Sequence, residues 1–229
     1  MLFRSEQSGL YLQDQLKFNR WVVSLSGRQD WSRQKVNDRA AGSTETQKDD
    51  AFTGQAGAVY LFDNGWAPYL SYSQSFIPVA GATVSGEQFK PEKGVQYEAG
   101  IKYAPPNTKA MVTLSVFDLR RRNVTTPDPD PVNNPDALVQ TGEVRSRGIE
   151  LEGKANLAQG LDVIAALSYT RMKVTESNDP AELGTTPAEV PRRMASLWLD
   201  YTVLPGLTLS GGARMTGPTW GDDANTFRV

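Results

Sequence analysis

The sequence contains no cysteine and no histidine. The missing cysteine excludes disulfide scaffolds and thiolate metal sites, and the missing histidine excludes histidine-based catalytic triads and imidazole metal ligands. Long apolar runs are also absent, since the longest uninterrupted ones, 58–62 and 163–167, have five residues each. A membrane-spanning helix needs about 20 mostly apolar residues. The sequence therefore excludes a helical membrane protein, whereas catalysis by carboxylates alone is compatible with these absences.

The sequence also lacks a large excess of either positive or negative charge. Lys and Arg number 24 and Asp and Glu 26, which gives a formal net charge of −2. A nucleic-acid-binding protein usually carries a basic patch, so we expect no nucleic-acid partner. The first residues have no apolar signal-peptide core, so either the protein is cytoplasmic or the chain is not the whole precursor.

Alternation of apolar and polar residues is the main pattern that is present. In 95–103, for example, Val95, Tyr97 and Ile101 alternate with polar residues such as Glu98 and Lys102. A period of two residues predicts strands with one apolar and one polar face. We predict ten strands, at 8–18, 20–30, 51–62, 66–76, 94–104, 108–120, 142–157, 161–174, 192–204 and 206–216.

The connections between these strands alternate in length. Turn residues make the short ones, which are Asn19, 63–65, 105–107, 158–160 and 205–206. The long ones, 31–50, 77–93, 121–141 and 175–191, are polar and rich in Gly, Pro, Asp and Asn. Hairpins with all short turns at one end and all long loops at the other are typical of outer-membrane barrels. Six aromatic residues close to the short turns are suited to an interfacial girdle: Phe18, Trp21, Phe62, Trp66, Tyr103 and Tyr201.

Charged residues occupy the polar faces of the predicted strands. A dry sandwich core could not hold them without a large desolvation cost, whereas a wet or plugged lumen could. We therefore predict an all-β fold, an antiparallel up-and-down transmembrane β-barrel. The alternatives are a one-sided soluble sheet that binds a surface or glycan, and a β-propeller. The predicted lumen residues are Arg28, Glu98, Lys102, Glu150, Glu152, Lys154 and Arg214.

Several local strings resemble the C-terminal barrel of TonB-dependent outer-membrane siderophore receptors. They occur in order along nearly the whole chain: GLYLQDQ (9–15), GRQDW (27–31), PYLSYSQSF (68–76), KPE (90–92), YEAGIK (97–102), SRGIELE (146–152), PRR (191–193) and LWLDY (197–201). The resemblance implies a 22-stranded barrel, of which ten strands lie in this chain. Residues 1–229 would then be a partial barrel domain, with the plug, the TonB-binding segment and the final strands outside it.

The resemblance also implies a function and a location. Such a receptor imports a ferric siderophore of the hydroxamate (ferrichrome-like) group through the outer membrane of a Gram-negative bacterium. The alternative is a passive porin or structural barrel. The implied partners are the siderophore, outer-membrane lipid, lipopolysaccharide and the TonB complex. Arg120–Arg122, at the outer end of a predicted strand, could bind lipopolysaccharide phosphates or form a generic strand-end charge cluster. No enzyme activity, resident metal or cofactor is implied, since iron enters only with the siderophore.

The resemblance suggests two groups of site residues. Aromatic residues at loop bases or in long loops could stack on the siderophore, or could instead anchor an upper girdle or pack within loops. They are Trp31, Phe76, Phe89 and Trp220. The seven predicted lumen residues would contact the plug, or would solvate the inner wall and pair across strands.

Overall fold

The computed structural model describes residues 2–38, 43–128, 130, 132–134 and 137–229. Its regular structure consists of ten strands: β1 (Leu2–Phe18), β2 (Trp21–Asp38), β3 (Ser43–Tyr60), β4 (Trp66–Ile77), β5 (Glu92–Tyr103), β6 (Met111–Pro127), β7 (Leu138–Ala158), β8 (Leu161–Glu176), β9 (Arg193–Leu204) and β10 (Leu207–Thr216). The described residues contain no helix that is long and apolar enough to cross a membrane.

All ten strands form one sheet in the order β1 to β10, and every neighbouring pair is antiparallel. This meander confirms the predicted all-β, up-and-down architecture. Within the described residues β1 and β10 make no contact with each other. The ten strands therefore form an open sheet with two edges, and they do not close into a small barrel of their own.

The strands are longer than predicted, and the predicted segregation of loop lengths holds only in part: β2 ends at Asp38 and β3 begins at Ser43, whereas residues 104–110 separate β5 from β6. β2 and β3 remain paired as far as Asp38 and Ser43, so most of the predicted loop 31–50 is a ladder. β6 and β7 likewise extend into the predicted loop 121–141. Both faces of these extensions are polar, so the period-two signal is lost there. The backbone groups are nevertheless satisfied by the ladder, which does not depend on side-chain polarity.

The short turns depend on residues that accept a positive φ. Asn19 has a φ of 51° between β1 and β2, and Gly65 has a φ of 90° just before β4. Few other residues adopt this region without strain, because Cβ approaches the backbone. These local choices hold successive strands in a tight antiparallel register.

The register gives the sheet two faces. We call the face with Trp21, Leu70, Ile101 and Leu151 the apolar face, and the opposite one the polar face. Phe117 and a few other large side chains on the polar face break the alternation. The apolar face is almost entirely uncovered: the described buried apolar residues are only Ala51, Phe89 and Val144. An exposed apolar surface of this size requires a nonaqueous partner.

Aromatic pairs line the short-turn end of the apolar face. The rings of Trp66 and Tyr103 stack with centroids 4.2 Å apart, and Trp21 and Tyr60 meet edge-on at 5.0 Å. Rings with one polar edge prefer the headgroup level of a bilayer. The predicted aromatic girdle is therefore present at the short-turn end of the sheet, as expected from the sequence.

Candidate functional site

The polar face collects all seven residues that the sequence predicted for it. The side chains of Cα partners on adjacent strands point to the same side of the sheet, so each face continues from strand to strand. One line of partners runs from β5 to β10 and brings Lys102, Glu152 and Arg214 onto the same level. Glu98 lies opposite Ser71, and Glu150 lies opposite Ser115 and Ser168.

Glu98 is held by side-chain hydrogen bonds from two neighbours. The hydroxyl of Tyr69 donates to its Oε1 at 2.7 Å, and the amide of Gln96 donates to its Oε2 at 3.0 Å. The ammonium of Lys102 lies 5.1 Å from the centroid of the Tyr69 ring, within cation–π range. Two donors and a locked ring hold the carboxylate in one place, which suits a fixed contact with a partner.

Glu150, Glu152 and Arg214 line a cavity on the same face. Its volume is about 370 Å³, and Ser168, Met194 and Ser196 are among the other residues that line it. Among the described residues, Glu98, Glu150 and Glu152 take part in no ion pair. The polar face thus presents three carboxylates that are available to cationic groups from outside the sheet.

Arg28 is engaged differently, because its charge is neutralised locally. Its guanidinium donates to both oxygens of Asp30, at 2.6 and 2.7 Å, and Gln7 adds a third hydrogen bond. Asp30 is only 1% exposed. Asp30 is not among the residues predicted from the sequence, although opposite charges two residues apart on a strand share a face and could have indicated the pair. Arg28 therefore serves mainly to stabilise the sheet itself.

The four aromatic residues proposed for ligand stacking are not brought together. Trp31 and Phe76 have the parity of the apolar face, with partners Asp50 and Lys93. Phe89 is 6% exposed and closes the 78–91 loop, where its backbone NH donates to the carbonyl of Gly81. For these three residues the structure favours girdle anchoring or loop packing, and their contact with a ligand stays a prediction.

Trp220 lies apart from the other three, after β10. The guanidinium of Arg228 stacks over its ring, 4.5 Å from the centroid, and the two residues form an isolated β-bridge. The carbonyl of Trp220 also accepts from the NH of Glu189, which ties this segment to the loop between β8 and β9. The ring is therefore occupied on one face by an intramolecular partner.

The run Arg120–Arg122 does not act as one cluster, because successive strand residues point to opposite faces. Arg121 is on the polar face and pairs with Glu92 at 3.2 Å. Arg122 donates to Glu143 at 2.8 Å, and this hydrogen bond holds the pKa of the Glu143 carboxyl below its usual value. Arg120 has the parity of the apolar face, where it lies opposite Arg145.

Residues 2–229 match the family described as TonB dependent receptor-like, beta-barrel. The chain belongs to this family. Barrels of this family lie in the outer membrane of Gram-negative bacteria, so the predicted fold class and location are confirmed.

Two relatives identify the branch of the family to which the chain is similar. It is 43% identical to the ferrichrome outer membrane transporter/phage receptor of Escherichia coli K12, over 100% of this chain and 30% of that protein. It is 37% identical to the ferrioxamine receptor of Yersinia enterocolitica, over 99% of this chain and 31% of that receptor. The chain thus spans about a third of the length of these receptors, and both relatives are named for transport or reception rather than for catalysis.

Solved structures of the family share the fold. The siderophore receptor PiuA of Acinetobacter baumannii superposes with a TM-score of 0.80 at 24% identity, covering 98% of this chain and 35% of that receptor. The ferric preacinetobactin receptor BauA of the same organism gives a TM-score of 0.78 at 24% identity, over 99% and 35% of the two chains. At this level of identity the likeness concerns the fold alone.

Proposed function

We propose that this chain is part of the barrel of a receptor that imports a ferric siderophore of the hydroxamate class. The observation that carries the proposal is the 43% identity to a ferrichrome transporter over the whole chain. The remaining barrel strands, the plug and the TonB-binding segment would lie outside these residues, since the chain spans about 30% of that relative. The barrel performs no covalent chemistry in this proposal.

The polar face would line the lumen and hold the plug. Glu98, Glu150 and Glu152 supply carboxylates without an ion-pair partner among the described residues, and Tyr69 and Gln96 fix the position of the first. Guanidinium or ammonium groups of a plug would satisfy these carboxylates by charge-assisted hydrogen bonds. Because such contacts are few and discrete, the energised partner could break them one at a time as it moves the plug.

Transport is tested on the intact receptor in cells. A strain that lacks the receptor gene should lose uptake of ⁵⁵Fe-ferrichrome or ⁵⁵Fe-ferrioxamine, and the gene on a plasmid should restore it. Uptake should stop when the proton gradient is collapsed or when TonB is deleted. Full uptake in the deletion strain would contradict the proposal, and uptake that persists without TonB would favour a passive porin.

The role of the glutamates is tested separately. Glu98→Gln and Glu150→Gln keep the shape of each side chain but remove the charge that would attract a basic plug residue. We expect the plug to become more accessible to proteolysis in each variant. Glu45→Gln, on the β3 extension, is the matched control, and an equal change in this control would contradict plug contact by the lumen carboxylates.

A further inference from the structure

The outer part of the sheet has a seam between β3 and β4. The ladder between these strands ends outward at the pair Gln55 and Ser73, although β3 extends to Ser43 and β4 to Ile77. β2 pairs with one edge of the β3 extension along its whole length. The other edge, residues 43–54, has no ladder partner among the described residues. The wall therefore has a gap beside β3, at the end where the long loops lie.

A small hairpin lies between β4 and β5. The backbone NH of Phe89 donates to the carbonyl of Gly81, and the NH of Thr83 donates to the carbonyl of Glu87, each at 2.9 Å. We call residues 81–89 the flap. Because these backbone hydrogen bonds join the two arms of the flap, release of one arm also loosens the other.

Side-chain amides attach the flap to strands on both sides of it. Nε2 of Gln47, on β3, donates to the carbonyls of Val79 and Phe89 at 2.9 and 2.8 Å. Gln140, on β7, accepts from the NH of Lys90 and donates to its carbonyl, both at 2.6 Å. Within the described residues, no backbone–backbone hydrogen bond joins this segment to β3 or to β7. A segment held by a few side-chain bonds opens more readily than a strand held in a ladder.

The flap covers polar side chains of the β2–β3 ladder. Ser32, Gln34 and Gln47 are only 5–6% exposed, which a two-stranded ladder in water does not achieve by itself. The carbonyl of the buried Phe89 is bound to Gln47 on this side of the ladder, so the flap supplies the cover. Oε1 of Gln34 has no hydrogen-bond partner among the described residues. An unpaired buried acceptor is unfavourable, and water would satisfy it when the flap lifts.

Gln47 has more acceptors around it than it can satisfy. Its Nε2 carries two hydrogens, yet it lies within hydrogen-bond distance of four oxygens. Two are the carbonyls of Val79 and Phe89, and the other two are the carboxylate oxygens of Asp49, at 3.2 and 3.3 Å. The carboxylate of Asp49 therefore competes with the flap for the same donor.

We propose that the flap is a lid over the seam between β3 and β4, held by Gln47 and Gln140 and released when the Gln47 amide turns to Asp49. In the docked state the lid closes the gap beside the β3 extension. In the released state it opens a lateral path from the exterior to the polar face, a type of motion that lid segments of many proteins make. The device depends on residues of this chain alone, and it does not depend on which solute the receptor transports.

The test measures amide hydrogen exchange of the intact receptor in lipid nanodiscs, by mass spectrometry with fragmentation to single residues. The reporter is the NH of Lys90, which Gln140 protects at one arm of the flap. Gln47→Leu removes the donor at the other arm. We expect the NH of Lys90 to exchange about 10-fold faster in this variant, from the loss of two hydrogen bonds of ordinary strength.

Asp49→Asn distinguishes a releasable lid from simple loop packing. The variant replaces the carboxylate by a weaker, neutral acceptor, so Gln47 should bind the flap carbonyls for more of the time. We expect exchange at Lys90 to become about twofold slower, the lower end of the effect of one hydrogen bond. If Asp49 merely supported the loop, the same variant would speed the exchange. Because it keeps the size of the side chain, it also keeps the test valid if Gln47→Leu does not fold.

Gln55→Leu is the matched control, since it makes the same substitution on the same strand and the same face, at an exposed residue. Its exchange at Lys90 should equal that of the wild type. Three results would overturn the proposal: unchanged exchange in Gln47→Leu, an equal acceleration in Gln55→Leu, or faster exchange in Asp49→Asn. Siderophore uptake is a separate measurement, so failure of the transport proposal would be visible independently of these results.

Discussion

The orientation of the two faces can be tested with two adjacent residues. Leu70 is on the apolar face, is 66% exposed, and has Ala58 and Ala99 as register partners. It follows Trp66 of the aromatic girdle by four positions. At about 3.3 Å per residue and a tilt near 40°, Leu70 lies roughly 10 Å above that girdle, close to the middle of an apolar band about 25 Å tall.

Leu70→Arg should therefore place a guanidinium near the bilayer midplane. Charged substitutions there cost about 2–4 kcal/mol in barrels, which corresponds to a fall of roughly 30- to 1,000-fold in the ratio of folded to unfolded receptor. Ser71→Arg changes the next residue, whose side chain is on the polar face opposite Glu98. A partly exposed ion pair with that carboxylate is worth about 0–1 kcal/mol, so this variant should be nearly neutral.

The measurement is a denaturant titration of the intact receptor refolded into lipid vesicles, followed by tryptophan fluorescence and by heat-modifiable gel mobility. Wild type, Leu70→Arg and Ser71→Arg are compared in the same lipid. A loss in Ser71→Arg that equals or exceeds the loss in Leu70→Arg would show that the polar and apolar faces are assigned the wrong way round.

Two further predictions concern the ends of the strands. The hydrogen bond from Arg122 lowers the pKa of Glu143, so this pair stabilises the fold above the ordinary glutamate pKa and loses its effect as the pH falls through the lowered value. The difference in unfolding free energy between wild type and Glu143→Gln should therefore shrink from pH 6 to pH 3 in denaturant titrations. A difference that grows on acidification would contradict a stabilising role of this ion pair. Gly65→Ala should destabilise the receptor more than Gly206→Ala. Both glycines have a positive φ, but only at Gly65 would a Cβ overlap a backbone atom, the carbonyl oxygen of Ala104. Equal losses of unfolding free energy in the two variants, expected at about 1–2 kcal/mol from the backbone strain alone, would refute the steric argument.

The strand pattern and the parity of the charged residues were predictable because both are local properties. Alternation over five residues is enough to assign Glu98 and Tyr97 to opposite faces, and the turn residues determine where each hairpin reverses. The β2–β3 and β6–β7 extensions were missed for the same reason. Where both faces of a ribbon lie in water, selection for alternation is absent, and polar sequence looks like loop.

The contacts between residues were less predictable than their parity. Glu152 and Arg214 line one cavity because the registers of β8 and β9 bring them together. The sequence of a single strand does not contain this information. The burial of Phe89 depends on how the 78–91 loop folds back onto β3, where the amide of Gln47 donates to the carbonyl of Phe89 at 2.8 Å. In contrast, the division of Arg120–Arg122 between two faces follows from strand parity alone.

The sheet leaves three kinds of surface unsatisfied, and each requires a partner of different chemistry. The edges of β1 and β10 carry backbone donors and acceptors that only another strand can pair. The carboxylates of Glu98, Glu150 and Glu152 are available to cations, and the uncovered apolar face suits a nonaqueous environment. Because the three surfaces point in different directions, a substitution on one should leave the others unchanged. Stability in the bilayer and protection of the plug should therefore vary independently between Leu70→Arg and Glu98→Gln, and a variant that altered both would indicate a loss of fold rather than of a site.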